Sequence, residues 1–308
     1  VYLHNFYIVP DDPMYGQQQF LPQIMAEEAW NVHKGEDGEG NVVVAIVDSG
    51  TDWLHPDLTE NTWQNLGEDA DGDGVTLEFN NGVWELDPDD LNGIDDDNNG
   101  FADDVIGWDF GEAMNGGNGS NPDPYPDMIP HGTHCSGIAA ARTNNGVGIS
   151  SISYNVNYMP VNISSGGGII FGWEGVIYAA EIGGDIISLS WGNYTYEQAA
   201  AEVIEYATGL GSIIVAAAGN GNSDVPSYPA SYPGVISVAA VTESDSKANF
   251  SEYGASVDIA APGVNILSTF PNNSYEAWDG TSMAAPMVAG LFGLVKSYHP
   301  DWTNDQLI

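Results

Sequence analysis

Val42-Val43-Val44-Ala45-Ile46-Val47 is a run of six apolar residues with no polar position to face water. A strand with one wet face would alternate, whereas an unbroken run belongs to a strand covered on both sides. Strands of that kind are parallel and need crossover helices, so the run points to an α/β architecture of three layers, helices above and below a mostly parallel sheet. It ends in Asp48-Ser49-Gly50. Reactive groups in open α/β sheets gather just beyond the carboxyl ends of strands. A lone Asp there is also a common turn former, so Asp48 by itself leaves both roles open.

The remaining pattern fits that class. Apolar runs at 156–161, 186–190, 212–218, 235–241 and 257–260 read as strands, and helical periodicity covers 171–182, 197–210 and the segment after Ser282. A short amphipathic helix is expected over 22–30, with Ile24, Met25, Ala29 and Trp30 on its packing side. Neither a repeat nor a linker divides the chain, so 1–308 reads as one catalytic-size domain with an acidic insertion at about 60–130. No secretion signal heads it, which suits a mature or trimmed form, and the end at Asp305-Gln306-Leu307-Ile308 suits a natural chain that continues.

Four Lys and Arg stand against 44 Asp and Glu, a formal net charge of −40. Phosphate recognition needs cations, so nucleic acid is excluded as a partner, and an anionic membrane surface is disfavoured. The acids either bind divalent cations, or keep the protein soluble in a salty medium, or both. The single cysteine, Cys135, forms no internal disulfide.

Sixteen of the acids lie between Glu68 and Glu112. Asp69-Ala70-Asp71-Gly72-Asp73-Gly74 and Asp95-Asp96-Asp97-Asn98-Asn99-Gly100 place oxygen side chains at alternate positions before a glycine, the opening of a calcium loop. Neither has the closing Glu of an EF-hand: the twelfth positions are Asn80 and Ile106. Both read as isolated calcium loops, the first with Asp69, Asp71 and Asp73. The second has Asp95, Asp97, Asn99, Phe101, Asp103 and Asp104. A disordered acidic insertion is the competing reading, but Trp84, Ile94, Phe101, Ile106 and Trp108 make the segment too apolar for a solvated tail.

Gly280-Thr281-Ser282-Met283-Ala284-Ala285-Pro286 runs into an apolar helical series. Ser282 at a helix start is either a cap or a nucleophile, since free N–H groups there can hold an oxyanion. His131-Gly132-Thr133-His134 opens another helix of small residues. Its two histidines lack the i, i+4 spacing and the intervening Glu of a zinc helix. A hydroxyl nucleophile needs a base, a group to orient the base and oxyanion donors. Ser282, His131, Asp48 and the amide of Asn220 supply one of each.

Asp48-Ser49-Gly50, His131-Gly132-Thr133-His134, Ala218-Gly219-Asn220 and Gly280-Thr281-Ser282-Met283-Ala284 resemble the four signatures of the subtilisin-like serine proteases, in the family's order. The motif style is similar to the thermitase and proteinase K branches, where a cysteine follows the histidine motif as Cys135 does here. The resemblance implies a secreted, monomeric endopeptidase acting on protein and peptide substrates and made with an inhibitory propeptide. It implies His131 as the base and His134 as a structural neighbour. It also implies a substrate cleft between Ser190-Trp191-Gly192 and an opposing strand at Gly166-Gly167-Gly168. Ala217-Ala218-Gly219 would form a further pocket wall and Ser227 the base of the pocket. With no charge at those positions, the pocket is expected to take an apolar or aromatic P1 residue. Asn193 stands where the family has glycine, and Tyr228-Pro229 matches a cis proline position. Asp12, Asp57 and Asn144 resemble a family calcium site, although Asp12 alone reads as a turn residue. The alternative is a calcium-dependent binding module on a scaffold that has lost catalysis. The complete set Asp48, His131, Asn220 and Ser282 argues against it, because fold alone does not carry function.

Overall fold

The computed structural model describes residues 9–35, 42–111, 123–126 and 129–308. Seven strands form a parallel sheet: β1 (Val43–Asp48), β2 (Trp108–Asp109), β3 (Asn157–Asn162), β4 (Ile186–Leu189), β5 (Ile213–Ala217), β6 (Val235–Val241) and β7 (Ile259–Pro262). Their order is β7-β6-β5-β4-β1-β3-β2. From β1 the chain runs to the edge strand β2, inserts β3 between the two, crosses to the other side of β1 at β4, and then winds away. The carboxyl ends of β1 and β4 therefore flank a topological switch point, where an open α/β sheet leaves a crevice.

The unbroken apolar run of β1 is buried on both faces, as such a run requires. Val44 and Ile46 pack toward Trp30, Ile138, Met287 and Val288, while Val43, Ala45 and Val47 pack toward Val176, Tyr178 and Ile204. Two helices cover the first face: α1 (His131–Ala140) and α4 (Thr281–Tyr298). The opposite face carries α2 (Gly172–Glu181) and α3 (Gln198–Leu210). Each buried Val, Ile or Leu stabilises by roughly 1.5–3 kcal/mol. A one-residue slip of β1 would exchange its two faces, so this burial fixes the register that puts Asp48 at the strand end.

α1 and α4 approach closely because glycines face the contact. A side chain at Gly290 would come within 2.7 Å of the Ala139 carbonyl oxygen. The expected helix over 22–30 is two short ones, Phe20–Gln23 and Ala26–Trp30, separated at Met25 with φ of 58°. The last sheet strand begins two residues later than its hydropathy suggests. An antiparallel hairpin, Ile266–Phe270 with Ser274–Trp278, lies beside α1 and has no counterpart in the expected elements. Within the acidic segment, Leu77–Asn80 pairs with Val83–Leu86, and a small core of Trp53, Leu77, Val105 and Ile106 anchors it. No helix among the described residues is long and apolar enough to cross a membrane.

Candidate active site and acidic loops

Asp48 is the last residue of β1 and His131 the first of α1, so one helix start is laid against one strand end. Gly132 permits this, because a Cβ there would collide with the Gly50 carbonyl oxygen and lie 3.2 Å from the Asp48 Cβ. Ser49 Oγ ties the junction further, accepting from the Gly132 N–H at 3.0 Å and donating to the Ile129 carbonyl at 2.9 Å. The His131 Nδ1–H then donates to Asp48 Oδ1 at 2.8 Å and to Oδ2 at 3.0 Å. That bond fixes the tautomer and leaves Nε2 as the proton acceptor. Burial disfavours the charged imidazolium, but the Asp48 carboxylate outweighs it and holds His131 well above the ordinary histidine range.

Ser282 lies in the first turn of α4. Its hydroxyl donates to the Ser190 carbonyl at 3.2 Å. Its own carbonyl would ordinarily accept from the N–H four residues on, but that residue is Pro286, which has none. The freed oxygen instead accepts from Ser190 Oγ at 2.9 Å and faces Cys135 Sγ at 3.5 Å. Cys135 is wholly buried, 3.8 Å from His131 Nδ1, and burial keeps it in the thiol form by raising its pKa. It packs between the His131 ring and the Ser282 backbone.

Asn220 follows β5. Its Oδ1 accepts from the Thr281 N–H at 2.9 Å and from Thr281 Oγ1 at 3.0 Å. Those partners fix the amide orientation, so the Nδ2 donors are the free end. A cavity of about 150 Å³ opens beside it, lined by Ser190, Trp191, Gly192, Ala217, Ser227 and Ser282 among others. An Asn220→Ala variant is expected to lose about 10²- to 10³-fold in kcat with little change in KM, a scale that comes from subtilisin itself. Peptide hydrolysis kinetics would check it. A rise in KM with kcat unchanged would show that Asn220 binds ground state and transition state alike.

Most pocket positions expected from the sequence converge here. Gly219 also lines the cavity, whereas Ala218 is buried behind it, its N–H bonded to the Val238 carbonyl at 2.9 Å. Asn193 and Tyr228 exchange backbone hydrogen bonds at 2.8 and 2.7 Å, and the Tyr228-Pro229 bond is cis. Gly166 and Gly167, with φ of 59° and 85°, form the two-residue turn of a hairpin joining Ser164–Ser165 to Gly168–Ile169. Gly166 and Gly167 are thus at the tip rather than along a strand.

His134 is buried, stacks on Trp278 at 4.9 Å between ring centroids, and donates from Nε2 to the Glu276 carbonyl at 3.0 Å. Burial pushes its pKa down to about 4, so it stays neutral. It is a packing residue in this setting. A larger cavity of about 490 Å³ lies away from this site, along Gln19, Gln23, Thr242 and Glu243, and holds none of the candidate reacting groups.

The acidic loops form two clusters. Carboxylate oxygens of Asp69, Asp71 and Asp73 lie within 4.8 Å of one another, and so do those of Glu68, Asp97 and Asp104. Glu68 is the member that loop counting missed. Its Oε1 also accepts from the N–H of Asp96 and of Asp97, and its Oε2 from that of Asp103. Asp104 is buried beneath Tyr178, Asn65 and Asn99, and desolvation pushes it up to about 7. Asn99 donates to Asp97 and Asp104 and so lies beside the second cluster. Asp95 closes the loop by accepting from the N–H groups of Asn99 and Gly100. Asp103 turns to the Gly93 N–H, and Phe101 packs its ring against Trp108 and Tyr178. Hard oxygen donors with no lysine or arginine among them suit calcium.

Asp12, Asp57 and the loop at 144–150 also meet. Asp12 accepts from the N–H groups of Asn144 and Asn145 and from Ser150 Oγ, and Asp57 accepts from the Ile149 N–H at 2.9 Å. Burial raises the pKa of both carboxyls. Their oxygens are taken by protein donors about as fully as those of Glu68, Asp97 and Asp104, and more fully than those of Asp71 and Asp73.

Known proteins share this arrangement of sequence. A profile of the subtilase family matches residues 39–307. Thermitase from Thermoactinomyces vulgaris is 36% identical over 94% of this chain and 85% of its own length. A thermophilic serine proteinase from Bacillus sp. strain AK1 is 36% identical over 96% of the chain. The halolysin-like extracellular serine protease Nep of Natrialba magadii is 34% identical over 97%. The chain spans 62% and 47% of the lengths of those last two. A solved protease structure from Pseudoalteromonas arctica superposes with a TM-score of 0.70 at 29% identity, covering 97% of this chain and 90% of that one. The chain belongs to the subtilase family of serine proteases.

Proposed function

We propose that the chain is a secreted serine endopeptidase stabilised by calcium, with Asp48, His131 and Ser282 as its triad. The carrying observation is the Asp48–His131 hydrogen bond at 2.8 Å, laid beside the start of the helix that bears Ser282. In this reading Ser282 Oγ attacks the scissile carbonyl carbon while His131 Nε2 takes its proton. The oxyanion rests on the Asn220 Nδ2–H and the Ser282 N–H. His131 then gives the proton to the leaving amine, and water, deprotonated by the same imidazole, releases the acyl group. Asp48 holds the imidazole and stabilises its charge without taking the proton. The substrate backbone lies as an added strand along Ser190-Trp191-Gly192, with an apolar or aromatic side chain in the small pocket. A fluorophosphonate probe should label Ser282 stoichiometrically on a chain that also cleaves an unfolded protein. Labelling at any other serine would overturn the assignment.

Calcium would be held by Glu68, Asp97 and Asp104, by Asp69, Asp71 and Asp73, and by Asp12, Asp57 and Asn144. Its charge would offset acids that face one another at the first two sites, and its binding to the folded state alone stabilises by mass action. At a hundredfold excess over Kd the gain is about 2.7 kcal/mol, or roughly 4 °C in Tm for a chain of this size. Melting curves with and without chelator check this; superimposable curves would remove calcium from the reading. The extracellular setting rests on the Natrialba relative, which is described as an extracellular protease. The working form is read as a monomer that matures from a precursor with an inhibitory propeptide. The inactive-module alternative gains no support from a chain that keeps Asp48, His131, Asn220 and Ser282 together.

A further inference from the structure

The substrate pocket has a carboxylate behind its wall. Glu252 is 2% exposed, and its backbone N–H donates to the Gly219 carbonyl at 3.0 Å. Its Cγ lies 2.8 Å from where a Gly219 Cβ would stand, so the glycine leaves no side chain between the carboxylate and the pocket strand. Two hydroxyls hold it: Tyr194 OH donates to Oε1 at 2.6 Å and Ser223 Oγ donates to Oε2 at 3.1 Å. Tyr194 itself lines the cavity with Asn220 and Ser282. Its hydroxyl sits against the position a Gly221 Cβ would take, so it occupies the rim space that a side chain after Asn220 would fill. The bond to Glu252 raises the phenol pKa, which keeps Tyr194 a donor. Lys247 is bound nearby, but its Nζ donates to Asn222 Oδ1 and to the carbonyls of Ala248 and Ser251. Arg142 pairs with Glu60 and Lys296 with Asp185, so neither of those cations is engaged by Glu252.

We propose that Glu252 is a specificity-determining residue for the P1 side chain: held behind the pocket wall by Tyr194, its carboxylate favours a cationic P1 residue over an anionic one. This rests on the endopeptidase reading and deepens it. A pocket with neutral walls would rank charged P1 residues by size and desolvation alone. A charge several ångströms from the P1 tip, shielded from solvent, discriminates between Lys and Glu by about tenfold. Tyr194 acts differently: it straps the Asn193–Tyr194 segment to the Gly219–Gly221 segment and so sets the pocket width.

The test uses fluorogenic peptides identical except for P1 Phe, Lys or Glu, and the variants Glu252→Gln and Tyr194→Phe. Glu252→Gln keeps an acceptor for Tyr194, reverses the Ser223 contact so that Ser223 Oγ accepts from the new amide, and removes the charge. It is expected to cut the Lys-to-Glu ratio of kcat/KM about tenfold while changing the Phe substrate less than about twofold. The shift should persist in molar salt, where the Debye length is about 3 Å, because Glu252 is buried. Tyr194→Phe should raise KM for all three peptides together and leave the ratio intact, because Ser223 Oγ and the backbone bond to Gly219 still hold Glu252 behind the wall. Full fluorophosphonate labelling of both variants confirms that each is folded. An unchanged ratio in Glu252→Gln, or an equal loss on all three peptides, overturns the proposal. A wild-type chain that cleaves none of them overturns the endopeptidase reading instead.

Discussion

Ser282→Ala is expected to lower kcat by about 10⁶-fold and to abolish fluorophosphonate labelling, with Tm lowered by no more than about 2 °C. The scale is that of removing the nucleophile from subtilisin itself. The change deletes one oxygen that donates to the Ser190 carbonyl, so the fold loses one hydrogen bond at 3.2 Å, about 1 kcal/mol. Asn220 and the helix start remain, and residual activity of about 10³- to 10⁴-fold over water should survive through them. Steady-state hydrolysis of a peptide ester would measure it. A variant retaining a tenth of its activity would mean that Ser282 caps the helix and that another group attacks.

Asp48→Asn should cost about 10⁴-fold in kcat, again on the serine protease scale. Asparagine can offer its N–H to the ring, which favours the tautomer with its proton on Nε2, the atom that must accept. The pH profile separates this from a folding defect. Activity needs neutral His131, and Asp48 raises the folded pKa of that ring. Neutral base is therefore gained only as pH rises through the raised value, and the acidic limb of kcat/KM should lie above the ordinary histidine range near 6.5. In Asp48→Asn burial remains without the compensating charge, so the limb should move below about 6.5. Profiles that coincide would show that the pair does not control the base.

The architecture was legible because β1 is apolar from Val43 to Val47 and the strands after it recur at crossover spacing. Asp48 and His131 could be located because each sits where a buried element begins or ends. Ser282 and Asn220 joined them as the attacking group and the oxyanion donor that such a pair requires, while choosing His131 over His134 needed the resemblance. The hairpin at 266–278 was hidden by mixed polarity, although Asn272 and Asn273, both with positive φ, are the turn that makes it. Glu68 was missed for a different reason. Counting within a loop finds ligands at fixed offsets, and Glu68 joins Asp97 and Asp104 from across a hairpin. Glu252 escaped in the same way: the residues expected to form the pocket carry no charge, and the acid behind Gly219 comes from a distant segment.

Pro286 has a mechanical consequence. A helix normally carries each of its residues as a rigid rod, and any sliding or fraying of the rod displaces a side chain on its first turn. Here the Ser282 carbonyl answers to Ser190 Oγ, and the Thr281 N–H answers to Asn220. The Ser282 backbone is thereby registered to the two segments that line the cavity, one on each side. Small movements of those walls would carry Ser282 with them and keep its hydroxyl at the same place in the cavity.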